Sequence, residues 1–512
     1  MSANSDESSE QGDIGRIDSY NPATGELLGS VQSSTPEQVV AAVEKARIAQ
    51  ATWQRLDPKE RGKRLMHVRS GLVERAEEIA AQITAESGKT QVESLSMEIT
   101  GMADLVTYFG KRAHKILAPE RIPLHLMKHR ASYLHYKPRG VVGIISPWNF
   151  PFLIPMGEAY MALLAGNAVV LKPSEVTPLV ADLGRELFIK AGIPGDLFQV
   201  IHGRGDIGAA LINSNIDMVC FTGSVATGRK VGAACGERLI PCVLELGGKA
   251  PAVVCDDADL DRTAQALVWG AFANSGQICA SVERVYAVES IHDELVSKVV
   301  ENARRLKHGD PKDMQTDVGA VCFPRQLQVA RELVDDAVEK GATIQVGGQQ
   351  VHEDKGMFFQ PTILTGVNQD MRCMRDESFS PLMPIMKVKN EEEAIDLAND
   401  SNLGLLGYVF TKNRDKGKRL AERIQSGTVM VNDVLVTYGL PETPWMGVKD
   451  SGLGRVHSAE GLRSLCQTRH VNHDQFFTLP REMWWYPYGE KAYKRALGAL
   501  RLLFGRNSKK GF

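Results

Sequence analysis

The feature that most constrains this chain is an alternation, met twice, of short apolar runs with longer stretches of helical periodicity. Runs at 141–145, 168–171, 198–201 and 218–221 hold four or five mostly apolar residues each. They are too short for helices and lack the polar alternation of a half-exposed strand, so they read as strands buried on both faces. Helical stretches separate them, which implies parallel pairing with helices covering the sheet. After Gly248 the pattern restarts with 252–254, a long helix, 284–288 and another helix. A chain of 512 residues exceeds one ordinary core, so the restart marks a second lobe. No internal repeat of 20–50 residues accompanies it.

Ahead of the first run, residues 1–15 form a Ser-, Asp- and Glu-rich tail expected to be disordered. Thr35-Pro36-Glu37-Gln38 predicts a helix start, with Thr35 as cap, Pro36 in the first turn and Gln38 closing a capping box. Val39, Val40, Val43 and Ala46 are its expected buried stripe. Residues 131–136 alternate like a strand before the turn Pro138-Arg139-Gly140.

Charge and cysteine usage exclude several function classes. Sixty Lys and Arg against 62 Asp and Glu leave a net charge of -2, with no global attraction to nucleic acid. The eight cysteines show no zinc-site spacing, so no metal is expected. In so long a chain they do not make a disulfide scaffold, and reduced thiols in the cytoplasm are the simpler reading. No signal peptide and no apolar run long enough to span a bilayer is visible.

Two motifs invite nucleotide readings. Gly203-Arg204-Gly205-Asp206-Ile207-Gly208 follows a strand and opens a helix, which suits a dinucleotide loop. The acidic residue expected about 20 positions further on is missing, so the match is weak. Gly88-Lys89-Thr90 resembles the end of a phosphate-binding loop, but Ile83 stands where the first glycine belongs and the stretch is helical.

Five segments carry chemistry together: Pro147-Trp148-Asn149-Phe150-Pro151, Lys172-Pro173-Ser174-Glu175, Phe221-Thr222-Gly223-Ser224 with Gly228, Glu245-Leu246-Gly247-Gly248-Lys249, and Gly276-Gln277-Ile278-Cys279-Ala280-Ser281. Singly, each has a plain structural reading: a buried thiol, a surface carboxylate, a turn. As a set, in order and spacing, they resemble the aldehyde dehydrogenase superfamily over roughly nine-tenths of the chain. The resemblance implies an α/β fold with a Rossmann-like parallel-sheet cofactor lobe, a second α/β catalytic lobe and a small β oligomerisation arm. The implied boundaries are 16–119 with 147–246 for the cofactor lobe and 247–446 for the catalytic lobe. The arm and bridging segments take 120–146 and 447–488, and a basic tail takes 489–512.

By that likeness Cys279 is the nucleophile, a role that suits a thiolate facing a carbonyl carbon. Asn149 and the Cys279 backbone N–H would hold the resulting oxyanion, and one such donor is worth roughly 3–4 kcal/mol. Glu245 would be the base that activates water to hydrolyse the thioester. Trp148, Lys172, Glu175, Gly205, Gly223, Ser224, Glu377 and Phe379 are the implied cofactor residues. Lys172 and Glu175 would take the adenosine ribose, and a carboxylate there favours NAD over NADP by repelling a 2′-phosphate. Two stretches depart from the family pattern: Ser380 replaces a usual glycine, and Pro444-Trp445-Met446-Gly447 replaces the usual Pro-Phe-Gly-Gly.

Phe152, Met156, Gly157, Ile278 and Trp445 are the expected tunnel residues. Gly157 stands where relatives acting on succinic semialdehyde usually carry Arg, so a medium- or long-chain aliphatic or an aromatic aldehyde is expected. The alternatives are a succinate-semialdehyde-type enzyme and a non-catalytic binding protein keeping the fold. A homodimer or homotetramer is expected through the arm.

The C-terminus differs from the rest. Met483-Trp484-Trp485-Tyr486-Pro487-Tyr488 concentrates aromatics, and residues 491–512 carry seven basic residues and no acid, leaving 1–490 at -9. Tyr493, Ala496, Leu497, Leu500, Leu503 and Phe504 recur at helical spacing. Such a basic amphipathic helix suits either peripheral membrane contact through 489–512 or docking on a neighbouring subunit.

Overall fold

The computed structural model describes residues 15–351, 356–482 and 484–505. The acidic tail therefore lies outside the described residues except for Gly15. The chain divides into two compact units, one of residues 1–118 with 137–467 and one of 119–136 with 468–512.

The larger unit contains both expected parallel sheets. Its first long helix, Pro36–Trp53, begins as its sequence dictates: Thr35 accepts from the Gln38 N–H, and the Gln38 side chain accepts from the Thr35 N–H. Val39, Ala42, Val43 and Ala46 face inward, whereas Val40 is exposed, being one helical step off that face.

The first sheet has six strands in the order Gly452–Leu453, Cys242–Glu245, Met218–Thr222, Val141–Ile145, Ala168–Lys172 and Phe198–Val200. All pairs are parallel except the edge pair of Gly452–Leu453 with Cys242–Glu245. From the central strand Val141–Ile145 the chain turns first to one side and later to the other. That reversal opens a crevice at the carboxyl ends of the strands, where α/β folds place ligands.

The second sheet has seven strands: Thr343–Val346, Thr362–Thr365, Leu382–Val388, Val282–Val288, Ala250–Val254, Leu406–Phe410 and Thr428–Val431. Only the Thr343–Val346 edge pairs antiparallel. Val253, Tyr286, Leu333, Leu364 and Val409 are among the side chains of its core.

The boundaries drawn from sequence need one correction. Val141–Ile145, grouped there with the arm, is the centre of the first sheet, and Gly452–Leu453 is its edge. The separate unit is accordingly narrower. It holds a three-stranded sheet ordered Cys466–Asp474, Arg130–Pro138, Glu120–Ile122, in which Arg130 binds Asp474 at 2.6 Å and also Asn472. The helix Glu490–Phe504 follows. No helix among the described residues is long and apolar enough to cross a membrane.

Candidate active site

Asn149 follows the central strand of the first sheet and is held by its backbone. Lys89 Nζ donates to the Asn149 carbonyl at 2.8 Å and to Glu98 at 2.5 Å. The other Glu98 oxygen accepts from the N–H groups of Phe152 and Leu153 at 2.8 and 3.0 Å, at the start of the helix Leu153–Ala165. A carboxylate there satisfies orphan donors and complements the helix dipole. Lys89 and Glu98 are fully buried, which such a pair tolerates when its polar atoms are bonded. Gly88-Lys89-Thr90 therefore serves to anchor Asn149. Glu98 itself sits in a π-helical turn, Ser94–Ile99, whose Ser96 and Met97 line the cavity that Cys279 and Glu245 also line.

The Cys279 loop is strained and densely bonded. Asn274, Ser275 and Gly276 are consecutive left-handed residues, at φ 50°, 54° and 73°. Such backbone costs energy and persists only where its surroundings over-determine it. Here Glu93 accepts from the Asn274 N–H at 2.7 Å and Ser275 donates to Gly319 at 3.0 Å. Tyr408 donates its phenolic hydrogen to the Ala280 carbonyl at 2.6 Å. The Asn149 amide donates to the Gln277 carbonyl at 3.0 Å, two residues before Cys279. Gly276 is required by its φ and by contact, since a Cβ would stand 2.1 Å from the Ser380 carbonyl. At Gly248 a Cβ would stand 2.1 Å from the Cys279 carbonyl, so the two strand-to-loop segments pass in direct contact.

Glu245 ends the strand Cys242–Glu245 in ordinary extended geometry, directly opposite Thr222. Its two carboxylate oxygens are buried without a hydrogen-bond partner among the described residues. Burial, then the neighbouring Glu158, raise its pKa well above the usual carboxylate range; the Trp445 side chain acts the other way without completing a hydrogen bond. Glu158 lies one helical turn beyond Ile154 and is likewise buried, with one oxygen unpartnered. Burial pushes it up to about 8, against the pull of Thr222. Cys279 is partly exposed, and its thiol is pushed up to about 12 by its apolar surroundings, then by Glu377 and Glu245. The backbone N–H groups of Cys279 and Ala280 act against that shift.

Cys279 and Glu245 share one cavity of about 600 Å³ with Phe150, Leu153, Ile154, Leu435, Tyr438 and Trp445. Of the expected tunnel residues, Ile278 and Trp445 line it. Phe152, Met156 and Gly157 do not, and this is a correction. Met156 packs away from the cavity onto Gly184, where a Cβ would meet its sulfur at 2.5 Å. Phe152 is buried one turn before it, on the same face. Leu105 fills the space beside Gly157, so that glycine provides no room in the tunnel. Tyr438 gave no signal in sequence; it stacks edge-on against Trp445 at 5.1 Å and lies 4.6 Å from His457.

The expected cofactor residues lie along the crevice of the first sheet and the facing loops. Lys172 ends a strand and pairs with Glu175 at 3.0 Å. Ser224 caps the helix Val225–Glu237, with Gly223 just ahead of it at the end of the next strand but one. This offers ribose hydroxyls a carboxylate and a diphosphate a helix N-terminus, so the residues fit a dinucleotide. Gly205 opens the helix Gly205–Asn213 beyond the edge strand, with open space at its Cβ position. Trp148 meets Phe379 and Phe323 edge-on at 5.4 and 5.2 Å. Glu377 accepts from the Gly248 N–H at 2.8 Å, and burial with Glu283 nearby raises its pKa. Phe379 takes a left-handed φ of 44° while Glu283 accepts its N–H. The loop thus turns without the glycine expected at Ser380.

Two parallel sheets with a switch-point crevice, and a thiol and carboxylate in one tunnel, define a two-lobed α/β dehydrogenase. The chain belongs to the aldehyde dehydrogenase family, whose profile matches residues 9–471. It is an NAD(P)-dependent aldehyde dehydrogenase. Among curated relatives it is 37% identical to a 4,4'-diapolycopene aldehyde oxidase of Methylomonas sp, over 96% of this chain and 92% of that protein. It is 36% identical to a putative succinate-semialdehyde dehydrogenase [NADP(+)] of Mycolicibacterium smegmatis, over 94% of each. Among solved structures it is similar to an NAD-dependent aldehyde dehydrogenase from Sinorhizobium meliloti, with TM-score 0.87, 34% identity and coverage of 92% of this chain and 93% of that one. An NADP dependent enzyme of E. coli matches with TM-score 0.86 and 33% identity, covering 90% and 95%.

Proposed function

We propose that this enzyme oxidises an apolar aldehyde, medium- or long-chain aliphatic or aromatic, to its carboxylic acid, with NAD preferred. The lining of the cavity carries the reading. None of the described residues around it is Lys, Arg or His, and its ionisable side chains are Cys279, Glu245, Asp104 and Tyr438. A semialdehyde ending in a carboxylate would lose its hydration there without gaining a cation. An alkyl or aryl chain instead exchanges water for Phe150, Leu153, Ile154 and Trp445. The relative named for a 4,4'-diapolycopene aldehyde points the same way.

In this reading the Cys279 thiol releases its proton to water at the cavity mouth, the thiolate sulfur bonds the carbonyl carbon, and the carbonyl oxygen takes negative charge. The Cys279 N–H and the free N–H of the Asn149 amide stabilise that charge. When bound, the nicotinamide supplies the acceptor for the hydride leaving the former carbonyl carbon. The acyl group is then a thioester on Cys279. Glu245, once ionised, takes a proton from water as its oxygen attacks the acyl carbon; the C–S bond breaks and the acid departs. Glu175 supports NAD because its carboxylate accepts from a free 2′-hydroxyl and repels a 2′-phosphate. The exposed edge strand Cys466–Asp474 supports self-association into a homodimer or homotetramer.

An aldehyde panel with NAD and NADP, followed at 340 nm, tests this. Hexanal, decanal or benzaldehyde should exceed succinic semialdehyde in kcat/KM by about tenfold or more, as expected for an unanchored buried carboxylate. The reverse ranking overturns the substrate reading, and faster turnover with NADP overturns the cofactor preference.

A further inference from the structure

The smaller unit ends in a surface that the dehydrogenase reaction does not use. The helix Glu490–Phe504 has no buried residue. At 3.6 residues per turn, Ala492, Tyr493, Ala496, Leu497, Ala499, Leu500, Leu503 and Phe504 fall in one uninterrupted apolar sector of about 160°. The opposite sector holds Lys491, Lys494, Arg495 and Arg501 around Gly498 and the exposed Leu502, and its single acid, Glu490, is paired with Lys494 at 2.6 Å. Glu490, Arg501 and Lys494 border one edge of the apolar sector and Arg495 the other. Tyr493, Leu500, Leu503 and Phe504 are each more than half exposed.

A second observation adjoins the first. Trp484, Trp485, Tyr486 and Tyr488 are all exposed, with Tyr486 at 79%. They are not a loose tail: Arg481 donates to the carbonyls of Trp485 and Pro487 at 3.0 and 2.9 Å, and Tyr488 to that of Trp484 at 3.2 Å. A folded cluster of indoles and phenols facing water precedes a half-apolar, half-cationic helix.

We propose that residues 484–504 dock on an anionic lipid bilayer, the helix lying in the plane of the interface. An apolar sector of nearly half the circumference matches immersion of half a cylinder in a flat boundary. Cations along both edges reach back to phosphate while their stems stay with the acyl chains. Trp and Tyr next to the helix suit headgroup depth, where one part of each ring is apolar and one polar. The remainder of the chain, net negative, supplies no such attraction, so the local charge is complementary to an acidic surface.

The test is co-sedimentation of the full chain with vesicles of phosphatidylcholine alone or mixed with phosphatidylglycerol. Binding should be about tenfold greater on the mixed vesicles and fall as salt is raised. Leu497→Glu with Leu500→Glu should abolish it; Lys494→Gln, Arg495→Gln and Arg501→Gln together should remove most of it. Both variants should keep the wild-type rate on a short soluble aldehyde and the wild-type mass by light scattering, showing that the fold is intact. Absence of wild-type binding to either vesicle, or equal binding of the apolar variant, overturns the proposal. So does a fall in oligomer mass in the apolar variant, which would assign this face to a second copy of the chain.

Discussion

The Cys279 loop and the Glu245 strand end face the same cavity but are held in opposite ways. Around Cys279 the backbone is strained, with three left-handed residues in a row, while its polar groups are well bonded. Around Glu245 the backbone is relaxed β-strand, while the carboxylate has no hydrogen-bond partner among the described residues and has Glu158 as a neighbour. One element stores its cost in conformation, the other in electrostatics. The difference fits the proposed roles. A nucleophile must be placed to a fraction of an ångström, which rigid bonding achieves. A general base must have its proton affinity raised, which burial and a like charge achieve.

That contrast can be broken most severely at the sulfur. Cys279→Ala should lower aldehyde-dependent NADH formation by about a thousandfold or more, as loss of a nucleophile does. Undiminished turnover would show that Cys279 is not the nucleophile. Glu245→Gln should slow steady-state turnover by about a hundredfold while sparing the first hydride transfer. Stopped-flow would then show a burst near one NADH per site followed by a slow phase; loss of the burst would mean that Glu245 serves the sulfur instead.

A smaller effect separates conformation from charge. Gly248→Ala puts a Cβ against the Cys279 carbonyl and should destabilise the protein by about 1–3 kcal/mol, the cost of overpacking. Thermal unfolding would register it, together with slower alkylation of Cys279. Glu158→Gln should be the mildest change. It removes a like charge that raises Glu245, so the base ionises at lower pH and the ascending limb of the kcat profile moves toward acid. A limb that stays in place, or moves toward alkali, would show that burial alone governs Glu245.

Much of the fold around this site could be read from local sequence. The capping box at Thr35 and the strands near 141–145, 168–171 and 218–221 stand where periodicity and turn chemistry put them, whereas Asn149, Glu245 and Cys279 are singled out by the family resemblance and the strand Cys242–Glu245 carries no such signal. Other features were illegible for a common reason. Whether Ile154 or Met156 faces the cavity depends on what packs behind the helix, and every residue of Leu153–Ala165 is buried, so no polar stripe marks a face. Val40 failed for the opposite reason: an apolar residue can stand in water at modest cost.

The sequence by itself determined the α/β class, which follows from short-range periodicity, and through its resemblance to a known family it pointed to that family and to candidate site residues. Tertiary structure alone decided that Lys89 anchors Asn149, that Leu105 occupies the room beside Gly157 and that Glu158 stands close enough to raise Glu245. Those facts depend on segments tens of residues apart sharing one dry interior. There, distance and dielectric set the strength of each interaction, and neither is written in the order of the residues.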